Sequence, residues 1–253
     1  MKDTRIIMGM PITIEIAESA KAEDLEEMFA YFTEIDERFS TYKENSEIMQ
    51  INRGEIEKES YSPEMREVLA LAEKTKKETG GYFDIAQPDG QRDPSGIVKG
   101  WAIRNAANFL KAKKYKNFFV DAGGDIQSRG VSQDGMPWSV GIRNPFNREE
   151  IIKVVYPNGA GIATSGSYVR GHHIYNPLAQ DEKLEDVVSL TVIAPDVLEA
   201  DRLATAAFAM GTHGIQFIES YPTCEGYSID ASGIATMTSG FEQYMLSTAA
   251  IPA

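Results

Sequence analysis

Residues 199–207 read Glu-Ala-Asp-Arg-Leu-Ala-Thr-Ala-Ala, a composition that predicts a helix. Within this segment Asp201 and Thr205 are four residues apart, so they share one helical face. A hard cation such as Mg2+ prefers oxygen ligands and usually binds one or two carboxylates together with substrate phosphates. The pair is therefore a candidate for half of a metal site, although the same pattern also fits a solvated Asp beside a packed Thr.

Around this segment the chain predicts a mixture of helices and strands with no dividing linker. Helical periodicity covers 22–39, 62–78, 99–113 and 196–210, and β-branched or alternating runs cover 6–16, 117–121, 138–143, 151–156, 187–194 and 226–230. Because the strands cluster instead of alternating strictly with helices, we expect an α+β fold with mainly antiparallel sheets and packed helices. We expect residues 1–253 to form a single domain with two intimately associated lobes.

The charge of the chain limits its possible partners. Its formal net charge is −13 and its pI about 4.8, so it offers no basic field for nucleic acid or an anionic membrane surface. An anionic nucleotide can still bind where a lysine, a helix N-terminus or a divalent cation neutralises its phosphates. No stretch approaches the roughly 20 apolar residues that span a bilayer. As written the chain is expected to be cytoplasmic, or extracytoplasmic if a leader has been removed.

Three glycine-containing segments are candidates for close contact with a ligand. They are Val120–Asp125, Gly161–Tyr168 and Asp93–Gly100. Glycine lets backbone N–H groups approach a phosphate or a flat ring, and Thr164 and Ser165 add hydroxyl donors. A tight turn between strands explains Gly123-Gly124 equally well. Lys99 can reach a phosphate or ribose as a point charge, although the Walker P-loop pattern is absent.

Two of the three histidines are adjacent, in Arg170-Gly-His-His-Ile-Tyr-Asn-Pro177. A neutral imidazole can take a proton from a hydroxyl near pH 7, which suits group transfer, whereas a polar surface turn would explain the same residues. A serine hydrolase would pair Ser165 with His173. That interpretation is disfavoured because the G-x-S-x-G elbow is missing.

Eight short strings, taken together and in this order, resemble the ApbE family of FAD:protein FMN transferases, also called flavin transferases. They are Met8-Gly-Met-Pro, the segment 39–52 that begins Phe39-Ser-Thr-Tyr42, Thr79-Gly-Gly-Tyr-Phe-Asp-Ile85, Asp93-Pro-Ser-Gly-Ile-Val-Lys99, Asp121-Ala-Gly-Gly-Asp125, Thr164-Ser-Gly-Ser-Tyr168, His173-Ile-Tyr-Asn-Pro177 and Ala200-Asp-Arg-Leu-Ala-Thr-Ala206. They extend over nearly the whole chain.

This resemblance implies an enzyme that needs Mg2+, transfers FMN from FAD to a Thr or Ser hydroxyl of an acceptor flavoprotein, and releases AMP. It implies metal ligation by the side chains of Asp201 and Thr205 and by the carbonyl groups of Gly96 and Ala204. It also implies His173 near the pyrophosphate as the candidate base, and Asp201 as a second catalytic residue. The expected FAD-binding residues are Met8, Tyr42, Phe83, Asp84, Ile85, Asp93, Lys99, Thr164, Ser165 and Ile174.

The chain departs from the family pattern at Asn176, where an Asp is usual in the His-x-x-Asp-Pro string. An Asn keeps the turn-forming ability of Asp and loses its charge, so we expect the turn to survive. Three other functions remain open from sequence. The chain could hydrolyse FAD to FMN and AMP, it could bind flavin without catalysis, or it could be a structural or interaction protein on the same scaffold.

Overall fold

One antiparallel sheet organises the chain in a computed structural model, which describes residues 1–166, 176–179 and 184–245. Within those residues its order is β1 (Lys2–Ile7), β2 (Met10–Ile16), β3 (Phe118–Ala122), β4 (Asp125–Arg129), β7 (Gly161–Gly166), β8 (Val187–Ala194), β9 (Glu225–Asp230) and β10 (Ala235–Met237). A separate hairpin, β5 (Val140–Asn144) with β6 (Asn147–Val155), is inserted in the chain between β4 and β7. All of these pairings are antiparallel, which confirms the predicted fold class.

Six α-helices pack against this framework in the described part of the chain. They are α1 (Ala22–Phe39), α2 (Glu47–Asn52), α3 (Pro63–Glu78), α4 (Ser95–Ala112), α5 (Val197–Ala209) and α6 (Gly214–Glu219). Three have side-chain caps that define their starts. The hydroxyl groups of Ser46 and Ser62 accept from the N–H groups of Met49 at 3.2 Å and Met65 at 3.1 Å. The carboxylate of Asp196 accepts from the N–H of Glu199 at 3.0 Å. None of these helices is long and apolar enough to cross a membrane.

The sheet buries apolar side chains on both faces where β7 and β8 cross its middle. Val192 of β8 packs with Leu203 and Phe208 of α5, whereas its neighbour Ile193 packs on the opposite face with Val155 of the β5–β6 hairpin. Successive strand residues point to opposite faces, so a strand covered on both sides reads as a continuous apolar run. A larger core lies under β1–β3, where α1, α3 and α4 pack.

Local periodicity predicted several elements well. Helix α1 spans Ala22–Phe39 and strand β8 spans Val187–Ala194, as expected from sequence. The predicted strand at 6–16 is wrong in one respect, because it is a hairpin of β1 and β2. Met8 (φ 55°) and Gly9 (φ 70°) form the turn between them in the left-handed region.

Two segments predicted as glycine loops are regular elements instead. Helix α4 starts at Ser95 rather than Lys99, so Gly96 and Lys99 lie one turn apart on the same helix. Gly161–Gly166 is strand β7, and a Cβ on Gly161 would lie 2.0 Å from the backbone nitrogen of Val197. This glycine is therefore required by the close packing of β7 against the start of α5.

Candidate active site

A cavity of about 580 Å³ opens beside the sheet, a size typical of small-molecule sites. Its wall combines α4, α5, the turn between β3 and β4, the end of β7 and the β5–β6 hairpin. Of the residues singled out from sequence, those on the wall are Phe83, Asp84, Ile85, Asp93, Gly96, Lys99, Thr164, Ser165, Asp201 and Thr205. They come from four separate segments of the chain, namely residues 83–93, α4, β7 and α5, which the fold brings together.

Asp201 is held at the contact between α4 and α5. Its side chain is buried, and its Oδ2 accepts a hydrogen bond from the backbone N–H of Gly100 at 2.7 Å. A Cβ on Gly100 would lie 2.6 Å from the Cβ of Asp201, so only glycine permits this approach of the two helices. Burial raises the pKa of Asp201 to about 7, with Lys99 opposing that shift and Asp125 adding to it.

Oxygen atoms from α4 and α5 converge one helical turn from Asp201. The hydroxyl of Thr205 lies 3.4 Å from the carbonyl oxygen of Gly96. Carboxylate, hydroxyl and carbonyl oxygens are the ligand types that Mg2+ prefers. Within residues 1–166, 176–179 and 184–245, no three His, Cys, Asp or Glu side chains are arranged so that they could hold a metal ion. A cation here would therefore need a ligand's phosphate oxygens or water to complete its shell.

Lys99 forms an ion pair with the neighbouring strand. Its Nζ lies 2.7 Å from Oδ2 of Asp125 and 3.8 Å from Oδ1 of Asp201. Asp125 is almost completely buried, and its other oxygen accepts from the backbone N–H of Thr164 at 3.1 Å. One carboxylate thus fixes both the lysine and the edge of β7 that faces the cavity.

The turn between β3 and β4 forms another part of the wall. Gly123 (φ 62°) and Gly124 (φ 100°) adopt backbone angles that favour glycine, and the N–H of Gly124 donates to Oδ1 of Asp121 at 2.8 Å. The tight turn between strands is thus confirmed, and it borders the cavity, whereas close contact of these glycines with a ligand stays a prediction. Burial raises the pKa of Asp121.

The segment 83–93 supplies an apolar surface and two carboxylates. Phe83 is buried, and its backbone N–H donates to the hydroxyl of Thr79 at 3.1 Å. Asp84 already pairs with Lys76 at 2.6 Å, and Asp93 accepts from the N–H of Ser95 at the start of α4 at 2.9 Å. Both carboxylates thus also stabilise the local backbone.

Other residues singled out from sequence lie elsewhere or cannot be placed. Met8 is partly buried at the β1–β2 turn, Tyr42 is 97% exposed, and Ala204 is buried inside α5; none is on the cavity wall. Their predicted roles stay predictions. His173 and Ile174 lie outside the described residues.

Asn176 is described, and it starts a turn. Its Oδ1 accepts from the N–H of Leu178 at 2.9 Å, and its carbonyl oxygen accepts from the N–H of Ala179 at 3.1 Å. The expectation that Asn keeps the turn at this position is confirmed.

Four charged residues of the wall were missed as site residues, namely Asp121, Asp125, Arg143 and Arg148. Asp125 was visible as the acid that ends the Asp121–Asp125 string, but nothing local shows that it pairs with Lys99. Arg143 and Arg148 reach the cavity from the β5–β6 hairpin. No motif in the sequence marks these two arginines, because their position depends on where the hairpin packs.

Comparison with known proteins identifies the family. The sequence model of the ApbE family matches residues 8–89 and 86–228. The FAD:protein FMN transferase of Vibrio cholerae is 31% identical over 165 residues, which are 62% of this chain and 48% of that protein. The Escherichia coli K12 protein of the same name is 35% identical over 139 residues, 51% of this chain and 40% of that protein. The matched part thus spans about half the length of these curated relatives or less.

Solved structures agree on the fold. The flavin transferase ApbE from Vibrio cholerae superposes with a TM-score of 0.84 at 23% identity, covering 97% of this chain and 99% of that one. The ApbE protein from Thermotoga maritima gives 0.85 at 21% identity, covering 98% and 99%. These likenesses confirm the architecture, and the family match over most of the sequence confirms the resemblance seen in its motifs. This protein belongs to the ApbE family.

Proposed function

We propose that this chain transfers FMN from FAD to a Thr or Ser hydroxyl of an acceptor flavoprotein, releases AMP, and needs Mg2+ to do so. The observation that carries the proposal is the convergence of Asp201, Thr205 and the Gly96 carbonyl group beside Lys99, in a cavity large enough for much of a dinucleotide. Relatives named FAD:protein FMN transferase support the choice of substrate.

The donor set fits a magnesium ion. Asp201 and Thr205 would hold it with side-chain oxygens, and Gly96 and Ala204 with carbonyl oxygens. The fit rests on the short distance between Thr205 and Gly96 and on the Oδ1 of Asp201, which the hydrogen bond to Gly100 leaves available. When bound, the ion would neutralise charge on the diphosphate of FAD.

The chain's own groups would do the rest of the chemistry. Phe83, Ile85 and the β3–β4 turn would hold the flavin half of FAD. The family resemblance adds Met8 and Tyr42, which are not on the cavity wall, and Ile174, which lies outside the described residues. The acceptor hydroxyl oxygen forms a bond to the FMN phosphorus as the bond from that phosphorus to the AMP oxygen breaks. His173 would accept the hydroxyl proton, and AMP leaves with the electron pair.

The same site would hydrolyse FAD if water replaced the acceptor hydroxyl. The decisive experiment therefore incubates the purified protein with FAD and Mg2+, with and without an acceptor flavoprotein, and separates the nucleotides by chromatography. Covalent FMN on the acceptor is followed by in-gel flavin fluorescence. We expect AMP and flavinylated acceptor with Mg2+, and neither with a chelator.

The matched variants are Asp201→Asn and Asp196→Asn. Both remove one carboxylate from the same helix, but Asp196 is its N-cap, where Asn serves equally well, and it is not on the cavity wall. We expect Asp201→Asn to reduce turnover on the order of 100-fold or more, with Asp196→Asn close to wild type. If AMP and FMN form but the acceptor is not labelled, the reaction is hydrolysis and not transfer. If FAD stays intact under every condition, the proposal of an enzymatic role is overturned.

A further inference from the structure

The cavity wall carries more negative than positive charge, although the proposed substrate is an anion. Five carboxylates face it: Asp84, Asp93, Asp121, Asp125 and Asp201. Its cations within the described part of the chain are Lys99, Arg143 and Arg148. Lys99 is held by Asp125 at 2.7 Å, so much of its charge is already compensated. A dinucleotide entering this wall needs a cation that the protein has not already neutralised.

Arg143 is the candidate for this cation, because of its position in the β5–β6 hairpin. The register between β5 and β6 shifts on both sides of Arg143, between Ile142 and Arg143 and again between Arg143 and Asn144. A β-bulge re-aims a side chain relative to a regular strand and is common beside binding sites. Ile142 is buried in the core, whereas Arg143 is exposed, and both residues border the cavity.

The guanidinium group of Arg143 is partly fixed in place. Its Nη1 donates to the carbonyl oxygen of Arg148 at 3.0 Å, and none of the carboxylates in residues 1–166, 176–179 and 184–245 forms an ion pair with it. Arg148 is in β6, just after the hairpin turn, in which the N–H of Phe146 donates to Oδ1 of Asn144 at 3.0 Å. A guanidinium has five N–H donors in a rigid fork, so most of them are still available to a ligand.

Arg143 borders the same cavity as Asp121, Lys99 and the proposed metal ligands Asp201 and Thr205. Burial raises the pKa of Asp121, and the charges of Arg143 and Lys99 both act against that increase.

We infer that Arg143 binds the diphosphate of the flavin dinucleotide from the side of the β5–β6 hairpin. This inference rests on the proposed function for its ligand. Arg143 would donate to a phosphate oxygen opposite α4 and α5, where a planar fork can pair with two oxygens. The bulge gives that fork its direction, and the Arg148 carbonyl oxygen limits its rotation.

The test compares ligands with and without the diphosphate. FAD and riboflavin are titrated against the full chain by flavin fluorescence with a chelator present, so that binding is measured without turnover. The variants are Arg143→Ala, Arg143→Lys and Arg66→Ala. Arg66 is a matched control, because it is exposed, lies off the cavity wall and likewise donates to one backbone carbonyl, that of Glu59, at 2.8 Å.

We expect Arg143→Ala to weaken FAD binding about tenfold and to leave riboflavin binding within about twofold. Arg143→Lys should show a smaller loss for FAD, because it keeps the charge without the fork, and Arg66→Ala should change neither ligand. Equal weakening of FAD and riboflavin by Arg143→Ala, or no change in either, would overturn the inference. If FAD binding depends on Arg143 as expected but the wild-type chain transfers no FMN, the proposed function is overturned and the inference about Arg143 is not.

Discussion

Gly100 and Asp201 are 101 positions apart in sequence, yet the N–H of Gly100 donates to the carboxylate of Asp201 at 2.7 Å. The two helices are so close that a side chain at position 100 would overlap the Cβ of Asp201. This contact orients the carboxylate: Oδ2 is directed to α4, while Oδ1 lies 3.8 Å from Nζ of Lys99. A backbone requirement in α4 thus sets the direction of a candidate metal ligand in α5.

Replacing Gly100 with Ala should therefore damage both packing and the site. Overpacking costs about 1–3 kcal/mol, of which the better helix propensity of Ala recovers up to about 1 kcal/mol. We expect a net loss of about 1–2 kcal/mol in the free energy of unfolding in urea, together with reduced FAD turnover. Asn108→Ala, on the exposed face of the same helix, is the control for propensity alone. Unchanged stability and turnover in Gly100→Ala would contradict this account of the contact.

The ion pair between Lys99 and Asp125 should stabilise the fold, whereas either charge without the other should destabilise it. Removing one member of a buried pair costs about 3–5 kcal/mol, because the other charge is left uncompensated, and the partial exposure of Lys99 favours the lower end of that range. We expect Lys99→Met and Asp125→Asn each to lower the free energy of unfolding by about 3 kcal/mol or less.

The double variant tests the pairing itself. Each single change leaves the other charge without its partner, and the double variant removes both charges. We therefore expect the double variant to lose less stability than the sum of the two single losses. Urea unfolding of all four proteins measures this difference as a double-mutant cycle. Simple additivity would mean that the two side chains do not interact energetically.

Thr205→Val should change the metal requirement specifically. Valine keeps the branched shape but removes the oxygen that lies 3.4 Å from the Gly96 carbonyl oxygen. If Thr205 is a ligand, the half-saturating Mg2+ concentration should rise about 10-fold, with part of the activity recovered at high Mg2+. Turnover as a function of Mg2+ concentration measures this. Thr33→Val is the control, since Thr33 also donates to a helical carbonyl, that of Phe29, far from the cavity wall.

Asp24 should make stability depend on pH at the acidic end. The hydrogen bond from the Tyr115 hydroxyl, at 2.6 Å, is the main cause that lowers the pKa of Asp24, followed by the contact with Lys113. A carboxyl whose pKa is lower in the folded state stabilises the fold above its unfolded pKa, here 3.8. That stabilisation is lost as the pH falls through the lower folded value.

Asp24→Asn should therefore lower the melting temperature by about 2–4 °C near neutral pH, a shift typical of one lost interaction in a chain of this size. The difference from wild type should shrink as the pH falls below 3.8 and through the lower folded pKa of Asp24, because the wild-type side chain then also becomes uncharged. Thermal unfolding at several pH values measures it. Glu27→Gln removes the exposed carboxylate that also contacts Lys113, at 3.2 Å, and should have a smaller effect. A constant difference at all pH values would show that charge plays no part.

Short-range patterns in the sequence already determined much of this protein. The spacing of apolar residues in α1 and the run of apolar residues in β8 predicted the bounds of these elements. Their buried faces repeat every 3.6 residues in a helix and every 2 in a strand, so consecutive residues are enough to show them. The spacing of Asp201 and Thr205 likewise placed both on one face of α5. The ordered strings, and not any single one, indicated the family.

Tertiary structure alone decided which partners those residues meet. Lys99 and Asp125 are in different elements, and they pair because β4 packs where α4 begins. Arg143 reaches the cavity because a register shift re-aims it and because its hairpin folds back beside the β3–β4 turn. Such contacts depend on the order of strands in the sheet and on how closely glycines let helices approach. Neither is visible in a local pattern, since each is set by packing between segments far apart in the chain.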